Sequence, residues 1–358
     1  MTGFCACSYL REIAEIGKDH PVVGAVVGGL AAIGLFKVIT GLLSYFTMLA
    51  DLFILPRPDL SKYGAGSGSN KGRAWAIVTG ATAGIGEQFA HQLAAKGFNV
   101  GIISRTTGKL ETVQKELQEK CPGVSVKYLA FDASKDEPES YTALEKFIEE
   151  LDNVTVLINN VGQSHSIPVP FIETPEQEMR DIITINNIAT LKITQIIAPK
   201  IIASTGKGKA FKRGLILTMG SFAGLTPTPL LATYSGSKAF LQSWSNALAR
   251  ELQPQGVDVQ LVISYLVTSN MSKIRRTSAL IPNPKQFVKS VFQSIGRRSG
   301  AQERYATTTP YWSHALLHWW METAAGVFGK LIIGINYNMH VDIRKRALKK
   351  AERLAKQK

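Results

Sequence analysis

The segment LLATYSGSKAFLQ, residues 230–242, places a tyrosine and a lysine four positions apart in a helical pattern. On one helical face, an ammonium group beside Tyr234 favours the phenolate and so lowers the pKa of the phenol. Such a phenol can protonate the oxygen that forms when a hydride adds to a ketone. Alternatively, Tyr234 and Lys238 are ordinary surface neighbours, which stabilise a helix by roughly 0.2–0.5 kcal/mol. The surrounding chain has to decide between the two interpretations.

A glycine-rich turn lies upstream, in the segment TGATAGIGEQFA at residues 79–90, between a β-branched run and a helical pattern. Having no side chain, Gly80, Gly84 and Gly86 let the backbone approach a pyrophosphate, which the positive N-terminus of the next helix attracts. Turns collect glycine for other reasons, but a position after the first strand is typical of dinucleotide-binding proteins. We expect this turn, with Thr82 and Ile85, to bind the cofactor.

The end of the second predicted strand indicates which dinucleotide binds. No Asp or Glu occurs between Glu87 and Glu111, and Arg105 stands where an NAD enzyme holds a carboxylate for the ribose. A guanidinium group suits a 2′-phosphate, so the sequence predicts NADPH as the cofactor. Asp132, at the end of the third strand, is expected either to accept a hydrogen bond from the adenine amino group or to cap the next helix.

Short β-branched runs alternate with helical patterns from residue 74 onward. Strands that are apolar throughout and separated by helices are typical of a parallel sheet covered on both faces. We therefore predict an α/β fold with a doubly wound parallel sheet of about seven strands. The predicted strands are residues 75–80, 99–104, 124–132, 154–160, 214–219, 257–264 and 304–308.

Four motifs occur along this pattern: TGATAGIG at 79–86, NNVG at 159–162, Ser221 thirteen residues before Tyr234, and YSGSK at 234–238. Together they resemble the short-chain dehydrogenase/reductase family over roughly residues 74 to 270. The resemblance implies a Rossmann-type domain in which the tyrosine, the lysine and the serine act together on a substrate and a nicotinamide cofactor.

The resemblance also implies a role for each catalytic residue. Ser221 holds the carbonyl oxygen, Tyr234 supplies the proton, and Asn186 fixes a water through which protons reach Lys238. Asn186 is assigned because it stands eight residues before Thr194, with Asn187 as the neighbour that could be confused with it. The implied cofactor-binding residues are Gly80, Thr82, Gly84, Ile85, Gly86, Arg105, Asp132, Asn159, Gly162, Tyr234, Lys238, Val267, Thr268 and Ser269.

The chain departs from the family pattern after the sixth strand, where Ser264-Tyr265 replaces the usual Pro-Gly. A contact with the nicotinamide carboxamide is therefore expected from Thr268 or Ser269. His165, in GQSHS after the fourth strand, either touches substrate or is a loop histidine without a catalytic role.

Residues 22–50 are the most apolar stretch of the chain and carry a single charge, Lys37. A helix of this length, roughly 40 Å, can span a bilayer, whereas a cleaved signal peptide is shorter and follows a basic cluster. More basic residues follow the stretch than precede it, which predicts that the large domain faces the cytoplasm. The predicted organisation is an N-terminal segment (1–20), a transmembrane anchor (21–55), a flexible Gly/Ser linker (56–73) and an NADP-binding reductase domain (74–310).

Residues 311–336 are apolar and rich in Trp but contain His314, His318, Glu322 and Lys330. Crossing the bilayer would carry the basic tail into the lumen, against the positive-inside rule. We expect residues 311–340 to form a helical segment in the membrane interface, with a basic tail at 341–358 on anionic lipid. An amphipathic helix buried in the domain is the alternative.

The formal net charge is +14, and the basic residues concentrate after residue 270. This distribution does not indicate nucleic acid and favours a membrane surface or a phosphorylated ligand. The basic residues between 273 and 298 are expected to contact either coenzyme A phosphates or lipid. Three cysteines are too few for a four-cysteine zinc site, and no metal site is predicted.

Further segments, among them NNVGQSHSIPVPF and ISYLVTSNMSKIRR, are similar to the membrane-bound members of the family that act in fungal very-long-chain fatty-acid elongation. The similarity implies NADPH-dependent reduction of very-long-chain 3-oxoacyl-CoA in the endoplasmic reticulum membrane. This reaction would also supply acyl chains for sphingolipids. The implied partners are the elongase condensing enzyme, the 3-hydroxyacyl-CoA dehydratase and the enoyl reductase, with a homodimer left open. Alternatives are a 17β-hydroxysteroid or retinoid dehydrogenase, and a non-catalytic membrane scaffold that retains the fold.

Overall fold

A computed structural model of the protein describes residues 20–269 and 271–356. These residues form a sheet of seven parallel strands in the order β3-β2-β1-β4-β5-β6-β7, which confirms the predicted doubly wound α/β fold. The winding reverses between β1 and β4, and this reversal leaves a crevice at the carboxyl ends of the two strands. The strands are β1 (Trp75–Thr79), β2 (Asn99–Ser104), β3 (Val126–Ala130), β4 (Val154–Asn159), β5 (Gly214–Met219), β6 (Val257–Val262) and β7 (Thr307–Thr308).

The apolar N-terminal stretch forms helix α1 (Pro21–Leu49), which continues as a π turn over Ala50–Ile54. It is long and apolar enough to cross a membrane, with a mean hydropathy of 2.2, and its apolar side chains are exposed. Its C-terminal part contacts the domain. Ser44 Oγ accepts a hydrogen bond from Trp319 Nε1 at 3.0 Å, and the Asp51 carboxylate accepts hydrogen bonds from Ser299 N at 2.9 Å and Gln302 Nε2 at 3.0 Å. The predicted N-terminal segment lies almost entirely outside the described residues.

The segment predicted to be a flexible linker packs against the domain instead. Tyr63 is only 1% exposed, and its hydroxyl donates to the Asp258 carboxylate on β6 at 2.6 Å. Its carbonyl oxygen accepts a hydrogen bond from Thr155 Oγ1 on β4, also at 2.6 Å. The Gly and Ser composition suggested flexibility, but one buried aromatic side chain is enough to hold the segment under the sheet.

Helices cover both faces of the sheet, as strands that are apolar on both sides require. On one face, Phe89 and Leu93 pack with Phe287 in a continuous core; on the other, Phe147 and Ile193 belong to a second core. The first face carries α2 (Gly84–Ala95), α3 (Thr107–Lys120) and α9 (Pro284–Gln293). The second face carries α4 (Pro138–Glu149), α6 (Ala189–Ser204) and α8 (Ala232–Leu252), with the short helices α5 (Glu176–Ile183) and α7 (Phe222–Leu225) nearby.

The C-terminal part consists of α10 (Trp312–Trp320), a π turn over Met321–Ala325 and α11 (Lys330–Ala355). Of the polar residues that interrupt its apolar run, His314 and His318 lie inside the domain, whereas Lys330 is exposed. His318 Nδ1 is 2.6 Å from Thr309 Oγ1, and His314 Nε2 is 2.9 Å from Leu280 O. One face of α10 therefore packs inside the domain, as the alternative of a buried amphipathic helix predicts. Exposed Trp312, Trp320 and Phe328 remain available to a membrane interface, and that location stays a prediction.

Candidate active site

A cleft of about 570 Å³ opens at the carboxyl ends of the strands, beside the pair formed by β1 and β4. Its walls come from the turn after β1, the ends of β2 and β3, the segment after β4, and helix α8. The cleft therefore occupies the position where doubly wound sheets bind nucleotides. The predicted site residues that line it are Gly80, Thr82, Gly84, Ile85, Arg105, Asp132, Gly162, Tyr234, Lys238 and Ser269.

The turn between β1 and α2 needs its glycines for two different reasons. Gly80 and Gly84 have φ angles of +65° and +59°, which other residues rarely adopt. A Cβ on Gly86 would lie 2.2 Å from the carbonyl oxygen of Gly80, so any side chain there displaces the turn. These constraints leave the backbone at the start of α2 open to a dinucleotide pyrophosphate, and the residues fit such a group.

Asn160, which sequence reasoning did not single out, supports the same turn from β4. Its Nδ2 donates to Thr79 O at 3.0 Å and to Gly80 O at 3.3 Å. Asn159 was predicted to bind the cofactor, but it is 3% exposed and donates to Thr194 Oγ1 on α6 at 2.8 Å. Because adjacent strand residues point to opposite faces, the first Asn of NNVG holds α6 and the second holds the turn.

The end of β2 carries two cations rather than one. Arg105 and Lys109 both line the cleft and are exposed, so both can reach a phosphate on the adenosine ribose. Lys109 was missed, although its position in the first turn of α3 is a signal that could have been used. Asp132 Oδ1 accepts hydrogen bonds from Ser134 N at 3.1 Å and Ser134 Oγ at 2.8 Å. It closes a local turn and does not cap α4.

Tyr234 and Lys238 line the cleft, and Ser221 lies beside the tyrosine without being among the lining residues. Helix α8 carries the tyrosine and the lysine on one face, and Lys238 Nζ lies 6.0 Å from the centre of the Tyr234 ring. Ser221, which follows β5, is close enough to the Tyr234 phenol to influence its pKa, and its Oγ accepts a hydrogen bond from Ala223 N at 3.1 Å. Gly162 makes room for Asn186, because a Cβ there would lie only 3.2 Å from the Oδ1 of that side chain.

Lys238 was expected to lower the pKa of the Tyr234 phenol, but in the structure that pKa is raised. Burial raises the pKa of Tyr234, and the nearby Ser221 hydroxyl offsets this only in part. Burial also lowers the pKa of Lys238 to about 8. The prediction of a lowered phenol pKa neglected desolvation, which disfavours both charged groups in the same pocket.

Asn186 lies in a π turn (Thr184–Ile188) between α5 and α6, a feature often found at functional sites. Its Oδ1 accepts from Gln163 N at 2.7 Å, and its Nδ2 donates to Gln163 O and Ser237 Oγ, both at 2.9 Å. The side chain thus connects the segment after β4 to helix α8. Because these atoms are already bonded, the predicted water would have to bind the backbone of Asn186, and that role stays a prediction.

The segment after β6 contributes less to the cleft than expected. Ser264 and Ser269 line it, whereas Val267 is 4% exposed and belongs to the core. The N–H of Thr268 donates to Pro282 O at 3.1 Å. Of the three residues predicted to bind the cofactor here, only Ser269 is among those that line the cleft.

Comparisons with known proteins agree with this geometry. Residues 74–279 match the family model described as short chain dehydrogenase. The "Very-long-chain 3-oxoacyl-CoA reductase" of Yarrowia lipolytica is 60% identical over 96% of this chain and 88% of its own length. The protein of the same name from Lodderomyces elongisporus is 60% identical over 89% of each chain. The structure of a short-chain dehydrogenase from Sphingobium yanoikuyae in complex with NADPH superposes with a TM-score of 0.56 at 24% identity, over 66% of this chain and 87% of that one.

Proposed function

Because the chain belongs to the short-chain dehydrogenase family, we propose that it reduces very-long-chain 3-oxoacyl-CoA to 3-hydroxyacyl-CoA with NADPH, the second step of microsomal fatty-acid elongation. The observation that carries the proposal is that Tyr234 and Lys238 line the cleft together, with Ser221 beside the Tyr234 phenol. Its support is a match along nearly the whole chain to relatives whose printed name states this activity.

The residues of the cleft divide the chemical work in a simple way. When bound, the nicotinamide cofactor supplies the hydride that the keto carbon accepts. Ser221 orients the keto oxygen beside the phenol, and Tyr234 gives its proton to that oxygen as the negative charge develops. Lys238, which faces the Tyr234 ring, favours the phenolate that remains until solvent restores the proton.

The preference for NADPH over NADH rests on charge at the end of β2. Arg105 and Lys109 line the cleft on the side of the adenosine, and no carboxylate stands at the end of that strand to hold a free ribose hydroxyl. A 2′-phosphate supplies the anion that these two cations require.

The proposed cellular setting rests on the apolar helix α1 and on the basic residues that follow it. Helix α1 anchors the enzyme in the endoplasmic reticulum membrane with the domain in the cytoplasm, where the positive residues after the helix lie. Very-long acyl chains are insoluble in water, so an anchored reductase meets its substrate at the membrane. We expect it to act with the condensing enzyme, the dehydratase and the enoyl reductase of elongation, and to supply acyl chains for sphingolipids. Whether it forms a homodimer is left open.

NADPH consumption by the purified full chain tests the proposal directly. The substrates are 3-oxoacyl-CoA esters of graded chain length, with a 17-ketosteroid and retinal as comparison compounds. Turnover of long 3-oxoacyl-CoA that exceeds turnover of the comparison compounds is the expected result. Turnover of only a steroid or retinal would replace the proposal, and no turnover of any carbonyl substrate would favour a scaffold.

A further inference from the structure

A second cavity, of about 470 Å³, lies where the anchor joins the domain, and the reaction described above does not use it. Its walls come from the segment after helix α1 and from the C-terminal ends of α2 and α9. Helix α2 begins at the cleft with Gly84, and Lys96, directly after its last residue, lines this cavity. A helix of 12 residues is about 18 Å long, so the two sites lie at opposite ends of α2.

Three cations line the cavity: Arg57, Lys96 and Lys289. Within the described part of the chain, none of their side chains forms an ion pair with a carboxylate. The ammonium group of Lys96 lies 5.1 Å from the centre of the Phe292 ring, which holds it at the cavity. Burial lowers the pKa of Lys96, and the positive charge of Arg57 lowers it further. Neighbouring cations without a counterion repel one another, so an anion in the cavity would stabilise all three.

Asp59 is the one carboxylate among the described residues that line this cavity, and its charge is already satisfied elsewhere. Its two oxygens accept hydrogen bonds from Ser61 N at 2.8 Å and from Ser61 Oγ at 2.7 Å. These bonds lower the pKa of Asp59, and the cations that contribute to the same effect are Lys212 and Lys62. The cavity therefore keeps a net positive charge.

The end of the anchor is fixed to the domain beside the cavity. Arg297 donates hydrogen bonds to the carbonyl oxygen of Leu55, at 3.3 Å, and to that of Pro56. The apolar span ends at Ile54, and Arg57 follows three residues later, which is at most about 10 Å of chain. When α1 spans a bilayer, the cavity lies near the depth of the lipid headgroups.

Apolar side chains adjoin the cations at this end of the anchor. Phe53, Ile54 and Leu55 are 63%, 75% and 48% exposed, and they directly precede the cavity segment that begins at Arg57. A soluble phosphate would use the cations alone. A phospholipid offers a phosphate to the cations and acyl chains to the apolar side chains, and the cytoplasmic leaflet is rich in anionic lipids.

We propose that this cavity binds the headgroup phosphate of an anionic phospholipid, with Arg57, Lys96 and Lys289 around the phosphate and the acyl chains beside the end of α1. The bound lipid holds the α2 and α9 side of the domain against the bilayer. This inference rests on the location of α1 in a membrane and not on the reaction, so it goes beyond the proposed function. It also assigns Lys289 to lipid rather than to coenzyme A.

Calorimetric titration of the full chain in an uncharged detergent tests this inference. The probe is dioctanoyl phosphatidic acid, whose phosphate carries a charge of about −1.5 to −2 near pH 7. Dioctanoyl phosphatidylcholine has no net charge, and glycerol 3-phosphate has the phosphate without acyl chains. We expect phosphatidic acid to bind at least about 10-fold more tightly than either compound, and coenzyme A not to displace it. Lys96→Gln and Lys289→Gln should each weaken its binding by about 10-fold, the usual effect of one charge-assisted hydrogen bond.

Lys146→Gln is the matched control, because it removes the same charge from an exposed lysine on α4, on the other face of the sheet. It should bind phosphatidic acid as the unaltered protein does. Thermal unfolding shows whether each variant is folded, and Lys289→Gln, which changes an exposed side chain, keeps the test valid where Lys96→Gln does not fold.

Four results would overturn the inference: equal affinity in the unaltered protein and in both cavity variants, an equal loss in Lys146→Gln, glycerol 3-phosphate that binds as tightly as phosphatidic acid, or displacement of the lipid by coenzyme A. The third would assign the cavity to a soluble phosphate, and the fourth to the proposed substrate. None of these measurements depends on turnover. Failure of the proposed reaction would therefore leave the lipid site standing, and loss of lipid selectivity would leave the reaction standing.

Discussion

The Nζ of Lys238 lies 2.9 Å from the carbonyl oxygen of Met219, the last residue of β5. This contact fixes the ammonium group at the carboxyl end of the sheet, with the Tyr234 ring on its other side. Since Lys238 is buried and Tyr234 is partly buried, the charged forms of both side chains are disfavoured. Tyr234 therefore keeps its proton near neutral pH, and the protonated phenol is the form that ketone reduction consumes.

The first prediction concerns the pH dependence of reduction. Burial lowers the pKa of Lys238 to about 8, so its ammonium is present below that pH and lost above it. Because the raised pKa of Tyr234 keeps the phenol protonated over this range, the lysine determines the change. We expect kcat/KM to fall as the pH rises through about 8. In Lys238→Arg any residual activity should lack this fall, since arginine stays charged. A pH profile that stays flat to pH 9.5 in the unaltered protein contradicts the assignment.

The second prediction separates catalysis from cofactor binding. Tyr234→Phe removes the proton donor but keeps the ring that fills the inner end of the cleft. Loss of a positioned acid lowers turnover by about 10²- to 10⁴-fold, while the dissociation constant of NADPH, measured by fluorescence, should change little. Tyr128→Phe is the control, because its hydroxyl contacts only Glu111 on the outer surface at 3.2 Å. Comparable turnover in the two variants would remove Tyr234 from the mechanism.

The third prediction concerns the choice of dinucleotide. Arg105→Ala removes a charge-assisted hydrogen bond to a 2′-phosphate, and the affinity for NADPH should fall by about 10- to 100-fold. NADH has no 2′-phosphate, so its affinity should change far less. Lys109→Ala should show the same selectivity with a smaller effect. Lys115→Ala, on α3 but outside the cleft lining, serves as the control. Equal losses for both dinucleotides would refute the phosphate assignment.

Much of the fold was predictable because the strands are apolar throughout and are separated by helices. All seven predicted strands form, including β7, of which only Thr307–Thr308 pair with β6. The motif residues Tyr234, Lys238 and Ser221 lie near one another because fixed spacings along α8 and after β5 leave them little freedom, and their catalytic roles stay a prediction.

The remaining features depend on contacts between distant parts of the chain. Burial of Tyr63 joins residue 63 to residue 258, and no local composition reveals it. The raised pKa of Tyr234 likewise depends on how completely the surrounding elements exclude water. Asn160 and Asn159 share one motif, and only the pleat of β4 decides which of them faces the glycine turn.

The fourth prediction concerns the glycine turn. A Cβ in Gly86→Ala would meet the Gly80 carbonyl oxygen at 2.2 Å and Asn160 Nδ2 at 2.4 Å, so the turn has to move. We expect NADPH affinity to fall by at least 10-fold, because the backbone at the start of α2 no longer fits the pyrophosphate. Gly108→Ala is the control, since nothing lies within 4 Å of a Cβ there and helix α3 gains a better helix former. Isothermal titration of both variants distinguishes a specific clash from a general effect of substitution.

The fifth prediction concerns the segment between the anchor and the domain. If Tyr63 holds residues 56–73 against the sheet, Tyr63→Ala should destabilise the domain by about 3–5 kcal/mol, as the loss of a buried aromatic ring usually does. Tyr63→Phe keeps the ring but removes the hydrogen bond to Asp258, so its cost should be only about 1–2 kcal/mol. Thermal unfolding in detergent measures both changes. Limited proteolysis should cut Tyr63→Ala within this segment while leaving the unaltered protein intact, because a packed segment is protected and a free linker is not. Rapid cleavage between residues 56 and 73 in the unaltered protein would show that the segment is a flexible tether after all.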